Sequence, residues 1–218
     1  MSFIRPHADR TIAPAGFTPA PTDFEHPPAD PVAWAMRWLE EAMRLPTPNP
    51  NALYVATVSP DGRPSLRTVL LRSFDGDGAV FFTNRRSAKG NDLESTPRAA
   101  LLLHWDQFDR QLRIEGSVTH TSDAESDAYF AQRHRDSQLN AWASDQSRPV
   151  AGLAAMRDRQ QAAHDRFAGQ PVPRPPHWGG YRVALERLEF WQGDPYRFHD
   201  RVVYDRTADG WSVGRLMP

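Results

Sequence analysis

The chain has 218 residues and no cysteine, a length for one core, and it excludes disulfide frameworks, thiolate metal sites, iron–sulfur clusters and cysteine nucleophiles. Its 26 basic residues nearly cancel 27 acidic ones, for a formal charge of -1, which argues against a nucleic-acid surface. No apolar run nears the roughly 18 residues of a membrane span, and MSFIRPHADR lacks the apolar region of a secretory signal, so no membrane association and a cytoplasmic location are expected. Among the cations, Lys89 is the only lysine.

Residues 1–30 carry six of the 20 prolines and no sustained period, and read as an extended, flexible arm preceding a single domain over 31–218. Asp30 as N-cap, Pro31 at the first helical position and the apolar stripe Val32, Trp34, Ala35, Trp38, Leu39, Ala42 and Met43 predict a helix that stops near Leu45, before Pro46, Pro48 and Pro50. From residue 52 the texture is that of strands. ALYVATVS, SLRTVLLRSF and AVFFTN form a meander around the turns PDGRP and DGDG. A short helix over SAKGNDLE follows, then the strands RAALLLHW and QLRIEGSVTH. Residues 122–168 read as helical, with Asp123 as a cap. After a proline-rich turn, YRVALERLEFWQG reads as a long strand with a bend near Glu186 and Arg187, and RFHDRVVYDR and WSVGRLMP supply two more. Six to eight antiparallel strands with late helices give an α+β chain built on a closed barrel. Neither GxGxxG nor GxxxxGK[ST] occurs, so any phosphate is held by side chains rather than by a glycine cradle.

Three constellations could carry chemistry. Thr83 to Lys89 places hydroxyls and cations where a strand meets a helix N-terminus, the setting of an anion site; the same residues also make an ordinary basic turn with a serine cap. Tyr129, Arg133 and Ser137 are four residues apart, so one continuous helix would stack a phenol, a guanidinium and a hydroxyl as phosphate donors, or as a solvated face. On a strand from Trp191 to Arg201, Arg197, His199 and Arg201 share one face at period two. Like charge gathered there calls for an anion, unless carboxylates such as Asp200 neutralise it. Arg67 and Arg72 flank the apolar TVLL, as charges do where a strand meets solvent. The histidines show no HxxxH or HxH spacing, and no metal site is expected.

LEFWQGDPYRFHDR resembles the signature of the pyridoxine (pyridoxamine) 5′-phosphate oxidase family, with Glu189, Trp191, Arg197, His199 and Arg201 in pattern. From Pro31 onward, RTVLLR, FFTNRRSAK, RQLRIEG, YFAQRHRDSQLNAWASDQS, HWGGYRV and RLMP resemble family segments in the expected order. The resemblance implies an FMN-binding split β-barrel, antiparallel and Greek-key-like, with peripheral helices, and a homodimer whose two active sites draw on both subunits. By matching position, Arg67, Thr68, Val69, Leu70, Leu71, Arg72, Phe82, Thr83, Lys89, Gln111, Gln146, Ser147, Trp191 and Arg201 would hold FMN. Arg72, Tyr129, Arg133 and Ser137 would grip the phosphate of the B6 substrate, and Arg197 and His199 would cover its ring as catalytic residues. The implied reaction oxidises pyridoxine or pyridoxamine 5′-phosphate to pyridoxal 5′-phosphate with dioxygen as acceptor, releasing hydrogen peroxide, and ammonia from the amine.

The sequence departs from the family pattern at Arg72 for the usual lysine, Ala88 for a frequent arginine and Phe198 for an aliphatic. The arm offers Phe17 where some members carry an Arg-x-x-Tyr pair. Two other readings share the resemblance. One is a flavin oxidase of the phenazine-biosynthesis branch acting on another planar substrate; the other is a flavin- or B6-phosphate-binding protein without turnover.

Overall fold

The computed structural model describes residues 20–218. Helix α1, Pro31–Ala42, begins as expected: the Asp30 carboxylate accepts from the backbone N–H groups of Val32 (2.9 Å) and Ala33 (3.2 Å). Ten strands follow, β1 Ala52–Val58, β2 Pro64–Leu70, β3 Ser73–Asp75, β4 Gly78–Asn84, β5 Arg98–Trp105, β6 Arg110–His120, β7 Trp178–Val183, β8 Arg187–Gln192, β9 Asp200–Thr207 and β10 Gly210–Arg215. Helix α2, Ala88–Ser95, lies between β4 and β5, and α3 Asp123–Ala131, α4 Arg135–Ala143 and α5 Leu153–Arg166 between β6 and β7.

All strand pairs are antiparallel. One path runs β10-β9-β8-β6-β5-β1-β2, and a branch leaves β6 through β7 and β4 to β3. Long β6 serves both: residues 110–115 pair with β8 and 118–120 with β7. The sheet curls until the Arg72 N–H reaches the Val80 carbonyl at 2.8 Å. Because β2 and β4 share no ladder, the barrel is split on that side rather than closed.

The count exceeds the six to eight strands expected because two predicted strands are each cut in two. SLRTVLLRSF breaks at Leu71 and Arg72, and YRVALERLEFWQG breaks over 184–186, at the expected bend. The 122–168 segment is likewise three helices. Its first N-cap is Ser122, not Asp123: the Ser122 hydroxyl accepts from the Glu125 N–H and the Glu125 carboxylate accepts from the Ser122 N–H, a reciprocal pair that Asp123 cannot make.

The core is aromatic where α1 meets the sheet. Trp34 stacks on Phe190 (4.0 Å, 9°) and meets Trp38 and Tyr204 edge-on, an arrangement worth about 0.5–1.5 kcal/mol per pair beyond the area buried. Of the expected arm, residues 1–19, Phe17 included, lie outside the described residues. The remainder is seated on the chain's own body: Phe24 is buried against Trp34 and Trp38, and the Pro28 carbonyl accepts from the Tyr204 hydroxyl at 2.7 Å.

Candidate active site

A cavity of about 460 Å³ opens beside the split between β2 and β4 and is roofed by α3 and α4. Thr68, Val69, Leu70 and Arg72 line it from one side, Phe82, Thr83 and Lys89 from another, and Tyr129, Arg133, Ser137 and Gln146 close it. Eleven of the residues singled out from the sequence thus meet at one place.

Lys89 sits at the first turn of α2, whose N-cap is Ser87. It is only 7% exposed, and its Nζ donates to Gln146 Oε1 (2.8 Å), Thr83 Oγ1 (3.2 Å) and Ser87 Oγ (3.4 Å). None of these oxygens is charged, so burial pushes the ammonium down to about 8, and Arg67 pushes the same way. Arg67 itself faces its own barrel. Its guanidinium donates to Thr57 Oγ1 (2.6 Å) and the Val55 carbonyl (3.2 Å), and lies 3.7 Å from the Asp92 carboxylate.

Tyr129, Arg133 and Ser137 reach the cavity by a route the spacing did not foresee. The helix expected to carry all three ends at Ala131 and restarts at Arg135, so Tyr129 belongs to α3, Arg133 to the connecting turn and Ser137 to α4. Gln138 closes the corner, its side-chain amide donating to the Phe130 carbonyl at 2.9 Å. Phe82, Tyr129 and Trp178 form a stacked aromatic wall, with centroids 4.3 Å apart for the first pair and 6.0 Å for the second. The Arg133 guanidinium lies 4.8 Å from the Trp178 ring, and its Nη1 is buried with no hydrogen-bond partner. Burial, with the like charge of Arg72, lowers the Arg133 pKa despite an opposing effect of Tyr129. Gly180 keeps this wall tight, since a Cβ there would lie 2.7 Å from Phe82 Cε1 and 2.6 Å from Thr121 Oγ1.

The remaining predicted residues lie elsewhere. Leu71 is a core residue, and Ser147, in a left-handed conformation (φ +70°) beside Gln146, lines a neighbouring cavity. Gln111 on β6 pairs with Trp191 on β8, which pairs with Arg201 on β9. Three strands, β6, β5 and β1, separate β8 from β2. The single strand expected from Trp191 to Arg201 does not exist: β8 stops at Gln192, β9 starts at Asp200, and 193–199 holds a turn centred on Pro195 and Tyr196. Arg197, His199 and Arg201 therefore do not alternate on one face. Arg201 is neutralised by buried Glu189, whose Oε1 accepts from both Arg201 Nε and Nη2 at 2.7 Å. The His199 ring packs on Trp191 at 4.6 Å.

Asn84, Asn140, Ala141, Ser144 and Trp178 also line the cavity without having been singled out individually. Asn84 lay inside the noted basic segment, and Trp178 inside HWGGYRV. Asn140, Ala141 and Ser144 lay inside YFAQRHRDSQLNAWASDQS, with nothing in the sequence to mark them individually.

The model of the pyridoxamine 5′-phosphate oxidase family matches residues 39–166. The chain belongs to this family. Residues 178–218, β7 through β10, match the model of the pyridoxine 5′-phosphate oxidase C-terminal dimerisation region. The pyridoxine/pyridoxamine 5′-phosphate oxidase of Rubrobacter xylanophilus is 52% identical over 189 residues, 87% of each chain. PhzG from Burkholderia lata 383, solved with tetrahydrophenazine-1-carboxylic acid, superposes with a TM-score of 0.83 at 32% identity, covering 89% of this chain and 96% of that one. A pyridoxamine 5′-phosphate oxidase-related, FMN-binding protein of Nostoc punctiforme shares the fold, with a TM-score of 0.68 at 21% identity over 87% and 98% of the two chains. The named side chains divide into a cavity group from β2, β4, α2 and the segment of α3 and α4, and a second group of Gln111 on β6 with Trp191, Arg197, His199 and Arg201 in the region matched for dimerisation. Among the described residues no helix is long and apolar enough to cross a membrane, and no cluster suited to a metal ion is present.

Proposed function

We propose that this protein is an FMN-dependent oxidase that converts pyridoxine 5′-phosphate and pyridoxamine 5′-phosphate to pyridoxal 5′-phosphate, with dioxygen as acceptor. One observation carries the reading: a single cavity is lined by buried Lys89 and half-buried Arg133, whose Nη1 is itself buried, and neither cation has a carboxylate partner among the described residues. Buried charge without a counter-ion is costly, and two phosphates, one on the cofactor and one on the substrate, would remove that cost at both places. The donor set fits FMN. Lys89, Thr83 and Gln146 would hold its phosphate, with backbone and side chains of Thr68, Val69 and Leu70 alongside its ring system.

Arg72, Tyr129, Arg133 and Ser137 would grip the phosphate of the B6 substrate, the orphaned Arg133 Nη1 supplying a charge-assisted donor. Gln111, Trp191, Arg197, His199 and Arg201 lie too far round the sheet to reach this cavity in their own subunit, and in a homodimer they would complete the partner's site. His199 Nδ1 accepts from the Asp194 N–H, so the ring proton sits on Nε2, where it can donate to the substrate. Arg197 would cover the ring and hold the 4′ carbon in place for oxidation. FMN held there would supply the two-electron chemistry at that carbon, with dioxygen as the acceptor and hydrogen peroxide as its product. From the amine substrate, the released imine takes up water and leaves as aldehyde and ammonia.

The similarity to PhzG favours a second reading, oxidation of another planar substrate; the phosphate grip of Tyr129, Arg133 and Ser137 supports the first. Purified protein should be yellow, and with either B6 phosphate in air should form pyridoxal 5′-phosphate with equimolar peroxide. A yellow protein whose flavin is reduced by neither B6 phosphate would overturn the assignment.

A further inference from the structure

The turn carrying Arg197 and His199 has almost no core packing to hold it: Tyr196 is 90% exposed and Phe198 71%. Arg197 nevertheless sits at φ +72°, a left-handed conformation that a residue with a Cβ keeps only when its surroundings enforce it. Those surroundings are one residue. Asp194 accepts at its carbonyl from the Arg197 N–H (3.0 Å). Its carboxylate Oδ1 accepts from the N–H groups of Tyr196 (2.8 Å) and Phe198 (3.3 Å). Its own N–H donates to His199 Nδ1 (3.0 Å). Every polar group of Asp194 is thus committed to positions 196–199, and Pro195 between them has no N–H and a fixed φ.

We propose that Asp194 is a positioning residue for the reaction: its carboxylate holds the 196–198 turn in the left-handed form that aims Arg197, while its backbone N–H fixes His199 with the proton on Nε2. This role rests on the B6-phosphate reading of Arg197 and His199. Without the carboxylate, the N–H groups of Tyr196 and Phe198 turn to water and Arg197 relaxes toward ordinary backbone angles. Only a fraction of molecules then presents both groups correctly, and apparent substrate affinity falls by that fraction. Saturating substrate rebuilds the turn, so the maximal rate is preserved. The Lys89 cradle, on other elements, does not feel the change.

FMN-loaded Asp194→Ala and Asp194→Asn enzymes test this beside the unsubstituted protein. In Asp194→Ala the KM for pyridoxine 5′-phosphate should rise about tenfold with kcat nearly unchanged, the loss expected for a cap that accepts two backbone N–H groups. Asp194→Asn, whose amide oxygen still accepts both, should stay within about threefold, and FMN affinity should be the same in all three. Nitrogen-15 NMR of the histidine rings should find His199 as a single Nε2–H tautomer in the unsubstituted protein and as a mixture in Asp194→Ala, where the relaxed turn no longer keeps the ring on the retained backbone N–H of residue 194. An unchanged KM in Asp194→Ala, an Asp194→Asn as impaired as the alanine variant, or a proton on Nδ1 would each overturn the role. If the unsubstituted protein oxidises neither B6 phosphate while the alanine substitution still scrambles the tautomer, the reaction assignment fails and the hold of Asp194 on the turn stands.

Discussion

Lys89 ties FMN binding to pH in a way that can be worked through in numbers. In the free protein its ammonium lies among neutral oxygens, and burial, helped by Arg67, holds its pKa down to about 8 against an ordinary 10.5. Asp92 is the nearest acid on α2, but it is engaged with Arg67 and with the Thr57 hydroxyl at 2.6 Å. A phosphate beside Nζ favours the charged form and raises the pKa again, so binding takes up a proton wherever the free protein has lost one. Lys89 is about nine-tenths charged at pH 7 and about one-tenth charged at pH 9, which makes FMN bind about tenfold more weakly at the higher pH. Titration of flavin fluorescence with apoprotein at pH 7, 8 and 9 reads this directly. Lys89→Met should weaken binding at pH 7 by about ten- to a hundredfold, the worth of a charged hydrogen bond, and should flatten the pH dependence. An affinity that does not change from pH 7 to 9, or a slope that survives in Lys89→Met, would refute the reasoning. The same shift acts on folding. Since the folded pKa is the lower one, the unfolded chain holds the extra proton between about 8 and 10.5; the burial penalty is full below pH 8 and fades as pH rises through that window. It amounts to at most about 3 kcal/mol, reduced by solvent reaching the cavity mouth.

Three further outcomes separate the roles of the other residues. Arg197→Ala should lower turnover by about a hundredfold, as for loss of one preorganised donor, while FMN stays bound; loss of flavin with turnover per bound flavin intact would reverse the assignment. Arg133→Ala should raise the KM for both B6 phosphates by about ten- to a hundredfold and barely alter the KM for a non-phosphorylated analogue, which steady-state kinetics on paired substrates would read. Trp34→Ala removes the ring stacked on Phe190 at 4.0 Å and edge-on to Trp38 and Tyr204. It should cost about 3–5 kcal/mol in denaturant unfolding, and a cost below about 1 kcal/mol would mean that α1 is not part of the core.

Local chemistry in the sequence determined much of this protein. Asp30 and Pro31 start α1, Ser87 starts α2, and turn residues at 60–64 and 75–78 set the meander, because caps and tight turns depend on residues within a few positions of each other. The family motifs named the residues of the site. Only the tertiary structure decided how those residues are arranged. Period four placed Tyr129, Arg133 and Ser137 on one helix, yet they converge across a break between α3 and α4, since packing against Trp178 and the Gln138 amide outweighs helix continuity. Period two placed Arg197, His199 and Arg201 on one strand face, but Asp194 and Pro195 turn the chain out of the sheet and Glu189 claims Arg201. Lys89 stood out as the single lysine of the chain and as the end of a basic segment at a helix start, which could equally be an ordinary capped turn; what sets it apart is burial among neutral oxygens supplied by residues 83, 87 and 146. Local pattern encodes which elements form, whereas burial and the pairing of charge depend on parts of the chain brought together only by the fold.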